Sequence, residues 1–501
     1  MTQDENMAYV RRTLHDRAVC VMIPVYNNAA TIRGVVEDAL HYCDDVIVVD
    51  DGSDDGTEEI VNQIKGIYLV SYRKNRGKGY ALKEGISKAL ELGFAYAITM
   101  DADGQHMASD IPAFLEANIR WPGCIILGNR VGGDIIRSKG SNFANKFSNF
   151  WFAVETCKRL PDTQTGFRLY PLRKLHGYRW LTSRYEAELE LIVFASWHGV
   201  AIHSIPVSVY YPPLEKRVSH FRPGLDFTRI SILNTILCFL ALGYALPLRI
   251  LRFLATMLRT LAVILTVLLL FVVFSPLIWF YIRTGKDATK MRWHLHMLTY
   301  RVIRTIIFKI GIPGASFSCD IDKAVDFNKP SIIISNHQSH LDILYLLALT
   351  PKIVFLTNDW VWHSPLYGFL IRHAGYLQAS KGIDSLMPEM ENILQEGYSI
   401  AIFPEGTRSK DCTIGLFHQG AFYIAQQLGY DILPVFLYGP GRVLRKKKYL
   451  VRKSPVYIEV QKLFHTSDIE KLGEKRLVTR WFHQYYLRHY AEISNKIEQN
   501  V

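Results

Sequence analysis

Val46-Ile47-Val48-Val49-Asp50-Asp51-Gly52-Ser53 decides the fold of the first half of the chain. Four consecutive apolar residues read as a strand buried on both faces, and the acidic pair before Gly-Ser marks the turn at its end. Upstream, Ala18 to Pro24 is a similar short strand, followed by a helix from Thr31 to about Tyr42 with Thr31 as its N-cap. Downstream, Thr57 to Lys65 reads as helix and Ile67 to Ser71 as extended; Gly79 to Leu92 is helical and Ala95 to Met100 a third strong strand. Strands alternating with helices predict a mostly parallel α/β sheet, whose ligands bind beyond the carboxyl ends of the strands. Asp50, Asp51, Asp101 and Asp103 all fall at such ends.

The full chain of 501 residues exceeds one ordinary core and predicts two or three domains. Its 58 Lys+Arg against 46 Asp+Glu give a net charge of +12, which suits an anionic partner. Phospholipid headgroups and nucleotide phosphates fit. Nucleic acid ranks last, because the chain has no zinc module, RNA-binding aromatic signature or basic heptad. Seven scattered cysteines without a Cys-x-x-Cys pair predict a reduced, cytosol-facing chain with neither a disulfide frame nor a cysteine metal site. The polar, charged start through Arg17 predicts no secretory signal.

At Ile230 the composition changes. Ile230 to Leu248 is almost wholly apolar but contains Asn234, Gly243 and Pro247; it reads either as a span or as an interfacial segment. Leu261 to Tyr281 has no charged residue and, at about 1.5 Å per residue, is long enough to cross a hydrocarbon core of about 30 Å. The alternative is a buried soluble helix. Trp279 and Tyr281 form an interfacial belt. Arg222, Arg229, Arg249, Arg252, Arg259, Arg283, Lys286 and Lys290 flank both runs, so charge asymmetry does not set the topology. Met291 to Ile312 interleaves basic and apolar residues and reads either as a basic amphipathic helix on a bilayer or as a half-buried surface helix. Ser331–Ser335, Ile400–Phe403 and Leu433–Leu437 are further strands, which makes the second half α/β as well.

Cleaving a sugar–phosphate bond needs positive charge on the leaving diphosphate, and carboxylates where a metal supplies it. Asp101 and Asp103 alternate on an extended segment and suit one Mg²⁺ or Mn²⁺. Asp50 and Asp51 suit a base and ribose, and Arg76, Lys78 and Gly79 suit phosphates. Each fragment alone is weak, but five occur in order: Pro24-Val25-Tyr26-Asn27-Asn28, Val49–Thr57, Asn75-Arg76-Gly77-Lys78-Gly79, Asp101–His106 and Asp162–Arg168. This series resembles the family 2 inverting glycosyltransferases, particularly the dolichyl-phosphate mannosyltransferase-like branch, over about residues 17–230. The resemblance implies a GT-A nucleotide-diphospho-sugar fold. It places Pro24, Tyr26, Asn27, Asp50, Asp51, Arg76, Lys78 and Asp101 at the nucleotide sugar, and the metal on Asp101 and Asp103, with Asp103 catalytic. It puts Asp162, Gly166 and Arg168 near the acceptor. Glu188 either assists the acceptor as a catalytic carboxylate or is a helix-surface carboxylate. Arg217, His220 and Arg222 either bind an anionic headgroup or are snorkelling juxtamembrane charges.

Acyl transfer to a hydroxyl needs a base, an orienter for that base, and donors for the developing oxyanion. His337 and Asp342 lie five apart, and a helix starting near them brings both within hydrogen-bond reach. Arg408 beside Gly406 suits a phosphate or carboxylate. Asn336-His337-x-x-x-x-Asp342, Phe403-Pro404-Glu405-Gly406-Thr407-Arg408-Ser409 and Leu433-Pro434-Val435 together resemble the glycerolipid (lysophosphatidic acid) acyltransferase family over about residues 290–490. The resemblance implies His337 as general base, Asp342 as its partner, and Glu405, Gly406, Thr407 and Arg408 at the acceptor. One motif departs: where the family has an arginine for the acceptor phosphate, Ser380 or Lys381 stands here. That departure points toward a glycolipid or other lipid hydroxyl. The basic run Arg442 to Arg452 reads as a solvated loop or as a contact for anionic lipid or for the phosphates of coenzyme A or acyl carrier protein.

The expected architecture is a glycosyltransferase domain (1–229), a transmembrane or re-entrant segment (230–290) and an acyltransferase-like domain (291–501). The expected activity is sugar transfer from a nucleotide sugar to a lipid, and acyl transfer from acyl-CoA or acyl carrier protein to a lipid hydroxyl. The site is a membrane, a prokaryotic inner membrane by family fusion, with both domains on the cytoplasmic side. Cytosolic donors for both reactions predict a hairpin or re-entrant pair over 230–290. The alternatives are two uncoupled reactions, polyprenyl-phosphate sugar synthesis and lysophosphatidate acylation, or one domain serving only to bind lipid.

Overall fold

The computed structural model describes residues 3–130, 139–210, 223–284, 287–364 and 368–499. Arg217, His220 and Arg222 lie outside the described residues, as does Lys286. The chain divides into two compact units between Ile250 and Leu251, inside a helix.

Seven strands carry the first unit: β1 (Val19–Val25), β2 (Val46–Asp50), β3 (Ile67–Ser71), β4 (Tyr96–Thr99), β5 (Ile125–Arg130), β6 (Arg168–Pro171) and β7 (Ile202–Val207). Their order is β3-β2-β1-β4-β6-β5-β7. All pairs are parallel except those of β6, which runs antiparallel to β4 and β5. Side chains alternate between two cores: Val19, Val21, Ile23 and Val25 enter one, Cys20 and Met22 the other. Burial on both faces is why these strands read as unbroken apolar runs. Val25 pairs with Asp50, and Asp50 with Ser71, so three strands end at one level and deliver their turns to the same edge.

Thr31 does precede the helix Ile32–Tyr42, but its side chain makes no cap. Its hydroxyl instead donates to the carbonyl of Ala102 at 2.7 Å, tethering the Asp101–Asp103 loop to that helix.

The second unit has β8 (Ala315–Ile321), β9 (Ile332–Ser335), β10 (Ile353–Thr357), β11 (Leu377–Gln378), β12 (Ser399–Ile402), β13 (Ile432–Tyr438) and β14 (Ser454–Val460), ordered β11-β10-β12-β9-β13-β14-β8. Only the β13–β14 pair is antiparallel among these. Adjacent parallel β9 and β12 end together, Ile334 beside Ile402, so the turns that follow them emerge side by side. Asn336 extends β9 without being part of it. Its side-chain amide donates to the Leu437 carbonyl at 2.9 Å and accepts from the Leu437 N–H at 2.8 Å.

One helical run of 61 residues, Gly224–Thr284, replaces the expected pair of membrane segments. It is interrupted only by π-helical turns at Ala241–Ala245. Proline at 247 lacks an N–H for the carbonyl four residues back, and the widened turn at that point accommodates the loss without a reversal of direction. The intervening Arg249, Arg252 and Arg259 are good helix formers. This helix is long and apolar enough to cross a membrane. Its first part buries Asp226, Leu233, Asn234 and Leu237 against the first unit while Ile232, Ile236 and Phe239 are exposed. Over Leu261 to Phe280 most large apolar side chains are exposed, a surface matched to lipid tails rather than to water, while Val263 packs on the second core. The next helix, Ala288–Thr305, buries Leu295 and His296 and packs Trp293 and Ile303 on the second core, as a half-buried surface helix does.

Replacing Asn336 by Leu leaves a buried N–H and a buried C=O of β13 without partners. A loss of about 3 kcal/mol follows for the second unit, read as a lowered denaturation midpoint of the detergent-solubilised chain; an unchanged midpoint contradicts the bridging role.

Candidate active sites

Beyond the carboxyl ends of β1, β2 and β4 lies a cavity of about 760 Å³. Pro24, Tyr26, Asp51, Lys78, Asp101 and Asp103 line it, together with Lys74, Gln105, Arg184, Tyr185, Asp226 and Arg229. Its centre is an ion cluster. Lys78 Nζ sits 2.6 Å from Asp101 and 3.1 Å from Glu188. Burial opposes the Lys78 charge, yet Asp101 and Glu188 hold its pKa well above the ordinary lysine value. Burial likewise opposes ionisation of Asp101, and Lys78 and His106 still hold its carboxyl well below the usual range. Burial and the neighbouring Asp101 charge push the Asp103 carboxyl upward.

Asp101 and Glu188 take up the Lys78 ammonium, and Asp103, whose carboxylate accepts from the Gln105 N–H at 3.0 Å, has no ion pair among the described residues. That deficit fits a divalent cation on Asp101 and Asp103. No cluster of three or more His, Cys, Asp or Glu suited to a metal exists among the described residues. Two carboxylates, with remaining positions filled by substrate phosphate and water, are the usual requirement of Mg²⁺. Gly166 makes the approach possible, since a Cβ there would lie 2.4 Å from an Asp101 oxygen.

Several candidates are braced elsewhere. Asp51 lines the cavity but spends both oxygens on the main-chain N–H groups of Arg76 and Gly77, each at 2.8 Å. It thereby fixes the loop that presents Lys78. The Arg76 guanidinium lies 4.7 Å over the Tyr80 ring and is not part of the cavity wall. Asp50 accepts from the Ser53 hydroxyl and main chain, leaving its second oxygen buried without a hydrogen bond. Burial raises its pKa. Asn27 is bonded to Asp54 at 2.7 and 2.9 Å. Asp162 is buried in a bidentate pair with Arg130. Arg168 is buried, with its guanidinium on the carbonyls of Thr163, Thr165 and Glu188, so it joins β6 to the helix Glu186–Trp197 and does not reach the cavity. Arg229 was read only as a flanking charge and Asp226 was not singled out; both precede the apolar run, where nothing in the local pattern marks a cavity wall.

In the second unit, the Nδ1 of His337 lies 2.8 Å from Asp342. The same Asp342 oxygen accepts from the main-chain N–H groups of Gln338 at 2.6 Å and Ser339 at 2.7 Å. Asp342 is fully buried in the first turn of the helix Leu341–Leu347. Donation from Nδ1 leaves the lone pair on Nε2, the basic nitrogen. The imidazole stacks on Phe403, with centroids 4.0 Å apart. Glu405 holds the His337 main-chain N–H at 2.9 Å and that of Gly415 at 2.8 Å. Gly406 has a φ of 62°, the left-handed turn that glycine favours. Thr407 accepts a hydrogen bond from Lys446. Arg408 is half-buried, and its charge together with that of His337 bears on His340, whose pKa burial and these neighbours lower to about 4. Ser380 is tied to Asp359, which also accepts from Gln378.

Comparison with known proteins follows the same division. Residues 20–175 match the family model for glycosyl transferase family 2, and residues 317–438 match that for acyltransferase. The chain thus carries one domain of each transferase family. It is 27% identical over 219 residues to the UDP-N-acetylglucosamine–dolichyl-phosphate N-acetylglucosaminyltransferase of Methanococcus voltae, covering 39% of this chain and 87% of that protein. It is 30% identical over 171 residues to the chloroplastic 1-acyl-sn-glycerol-3-phosphate acyltransferase LPAT1 of Arabidopsis thaliana, covering 33% of this chain and 46% of that one. The chain therefore spans about half the length of that acyltransferase relative. Among solved structures, the acyltransferase PlsC of Thermotoga maritima matches at 17% identity and a TM-score of 0.40, over 48% of this chain and 96% of that one. Glucosyl-3-phosphoglycerate synthase of Mycobacterium tuberculosis matches at 18% and 0.37, over 47% and 82%.

Burial pushes the Glu405 carboxyl from 4.5 to about 7, against the two main-chain N–H groups that favour its charge. The folded state therefore holds this proton more tightly than the unfolded state. Glu405 contributes most stability below about pH 4.5, and that contribution falls as pH rises toward 7 and is then constant. Unfolding titrations of the parent and Glu405→Gln should show a stability difference that changes across this window; a pH-independent difference contradicts it.

Proposed function

We propose that the chain is a bifunctional enzyme of glycolipid synthesis at a membrane. The first site transfers a sugar, with inversion, from a nucleotide sugar to a lipid acceptor. The second transfers an acyl chain from acyl-CoA or acyl carrier protein to a hydroxyl of the same or a related lipid. The observation that carries the lipid reading is the first turn of the membrane-length helix. Asp226 and Arg229 on that turn form part of the cavity wall, while Leu225, Phe227, Ile232 and Ile236 of the same helix are exposed apolar residues. A lipid embedded beside such a helix has its polar head at the level of the cavity. Both donors are cytosolic compounds, which puts both reactions on the cytoplasmic face of a prokaryotic inner membrane in this reading, and this requires the single apolar helix to lie in that face of the bilayer instead of crossing it.

In the first site Asp101 and Asp103 would hold Mg²⁺ or Mn²⁺, which supplies positive charge to the departing diphosphate. Lys78 adds a fixed charge there, and Glu188 acts through Lys78 by holding it in place. Pro24, Tyr26 and Asp51 shape the nucleotide side of the cavity, and Asp50 and Asn27 support it from behind. Gly166 lets the β6 turn close on Asp101, with Asp162 and Arg168 bracing that turn. The acceptor oxygen attacks the anomeric carbon from the face opposite the leaving diphosphate, which inverts the centre.

In the second site His337 Nε2 takes the proton of the lipid hydroxyl as its oxygen attacks the thioester carbonyl. The carbon–sulfur bond breaks, and the thiolate leaves with the proton returned by the imidazolium. Asp342 fixes the tautomer and stabilises that imidazolium. Glu405 positions His337 through its main chain, and Gly406, Thr407 and Arg408 border the acceptor.

Asp103→Ala should lower sugar transfer by about 100-fold or more and leave acyl transfer at the parent rate. His337→Ala should do the reverse, by about 100- to 10,000-fold. Both activities are measured on the same purified preparations, with radiolabelled sugar nucleotide or acyl thioester. Sugar transfer that survives Asp103→Ala, or acyl transfer that survives His337→Ala, refutes the corresponding assignment.

A further inference from the structure

The sugar-transfer cavity holds a carboxylate that the roles above leave unassigned. An aliphatic alcohol stays protonated at neutral pH, so its attack on an anomeric carbon is accelerated by a positioned base. Among the described residues four carboxylates line the cavity: Asp51, Asp101, Asp103 and Asp226. Asp51 has both oxygens on main-chain N–H groups of the loop that carries Lys78. Asp101 is held by Lys78 at 2.6 Å, and together with Asp103 it is the pair suited to a cation. Glu188, the acidic residue expected at the acceptor, is ion-paired with Lys78 at 3.1 Å and is not part of the cavity wall. Tyr185 does line the wall, but burial raises its phenol pKa, so it keeps its proton at neutral pH.

Asp226 comes from a different element, the first turn of the helix Gly224–Thr284. Its side chain is 4% exposed and pairs with Arg229, one turn along, at 3.3 Å. Leu225 and Phe227, its neighbours in sequence, are 57% and 37% exposed. Phe227 packs on Phe147 of the helix Lys139–Thr156 with centroids 5.0 Å apart, and Phe143 and Phe150 of that helix are exposed as well. One helical turn therefore shows apolar surface to the outside and a carboxylate to the cavity. That contrast suits a molecule whose apolar body lies along the outer surface and whose polar end enters beside Asp226.

We infer that Asp226 is the general base of the sugar-transfer site and that the acceptor it serves is a lipid hydroxyl. Asp226 takes the hydroxyl proton as the lipid oxygen forms its bond to the anomeric carbon. The bond from that carbon to the diphosphate oxygen breaks, and the nucleoside diphosphate leaves with the electron pair. The proton then passes from Asp226 to water. Arg229 is a positioning residue that holds the carboxylate. A phosphate monoester acceptor, with a second pKa of about 6, is already ionised at neutral pH and needs no such base. The inference rests on the sugar-transfer reading of this cavity.

Asp226→Asn keeps the size of the side chain and removes its basicity. The test compares it with the parent as full-length chains in nanodiscs. The donors are UDP-glucose, UDP-N-acetylglucosamine and GDP-mannose, each with Mg²⁺ or Mn²⁺. The acceptors are 1,2-dioleoylglycerol, which offers a hydroxyl, and farnesyl phosphate, which offers an ionised oxygen. In Asp226→Asn, kcat on dioleoylglycerol should fall by about 100- to 10,000-fold. Calorimetric binding of UDP or GDP, and acyl transfer by the same preparation, should change by less than about threefold. Formate should raise the rate of Asp226→Ala on dioleoylglycerol in proportion to its concentration and leave the parent unchanged, a response that a merely structural role does not give. Parent-like transfer to dioleoylglycerol by Asp226→Asn, equal losses on the two acceptors, or an Asp226→Ala rate indifferent to formate overturns the base assignment. Transfer by the parent to farnesyl phosphate alone overturns it too and leaves the sugar-transfer reading standing. No transfer by the parent from any donor to either acceptor overturns both together.

Discussion

A carboxylate withdrawn from water has to be met by donors or by positive charge, and this requirement shapes both sites. Asp342 is fully buried and is met by an imidazole and two main-chain N–H groups on one oxygen. Those bonds fold the turn after β9 into the start of a helix and orient the base in the same step. Asp51 is met by two N–H groups of the loop that carries Lys78. Asp101 is met by Lys78 itself. Asp103 accepts one main-chain N–H, from Gln105, but has no ion pair among the described residues, and its neighbour Asp101 repels its charge. An unneutralised carboxylate beside a neutralised one in the cavity wall would suit a divalent cation.

The strands were readable because burial on both faces leaves no room for polar alternation, and the acidic turns follow where that pattern stops. Boundaries differ from the expected ones by a residue or so, as at β2, which continues through Asp50. The destinations of side chains were not readable in the same way. Arg76 carries a charge suited to phosphate, yet its main-chain N–H does the bonding to Asp51 while its guanidinium rests on Tyr80. Arg168 looks like an acceptor ligand by position, yet it is spent on three carbonyls inside the unit. Thr31 and Asn336 act through groups 71 and 101 residues away, contacts that no local pattern contains. The hairpin or re-entrant pair was expected from the cytosolic location of both donors and from no residue pattern, whereas the structure has one continuous helix there, with a π-turn at Ala241–Ala245 that contains Gly243 and just precedes Pro247.

Each unit places its chemistry after strands of a mostly parallel sheet, and the helix between them offers an apolar surface suited to lipid. The two chemistries are complementary in substrate. A sugar added to a lipid brings several hydroxyls, and an acyltransferase needs a hydroxyl as nucleophile. Ser380, tied to Asp359, does not supply the cation expected for lysophosphatidate, and the neighbouring Lys381 is exposed. That substitution is the reason to connect the second site with the product of the first.

The central claim is that one lipid passes through both sites. The most direct measurement incubates the purified chain with ³H-labelled sugar nucleotide, ¹⁴C-labelled acyl thioester and a membrane lipid extract, then resolves the lipids by chromatography and mass spectrometry. The account predicts one product carrying both labels, absent when either donor is withheld. Two separate products, each carrying a single label, would contradict it.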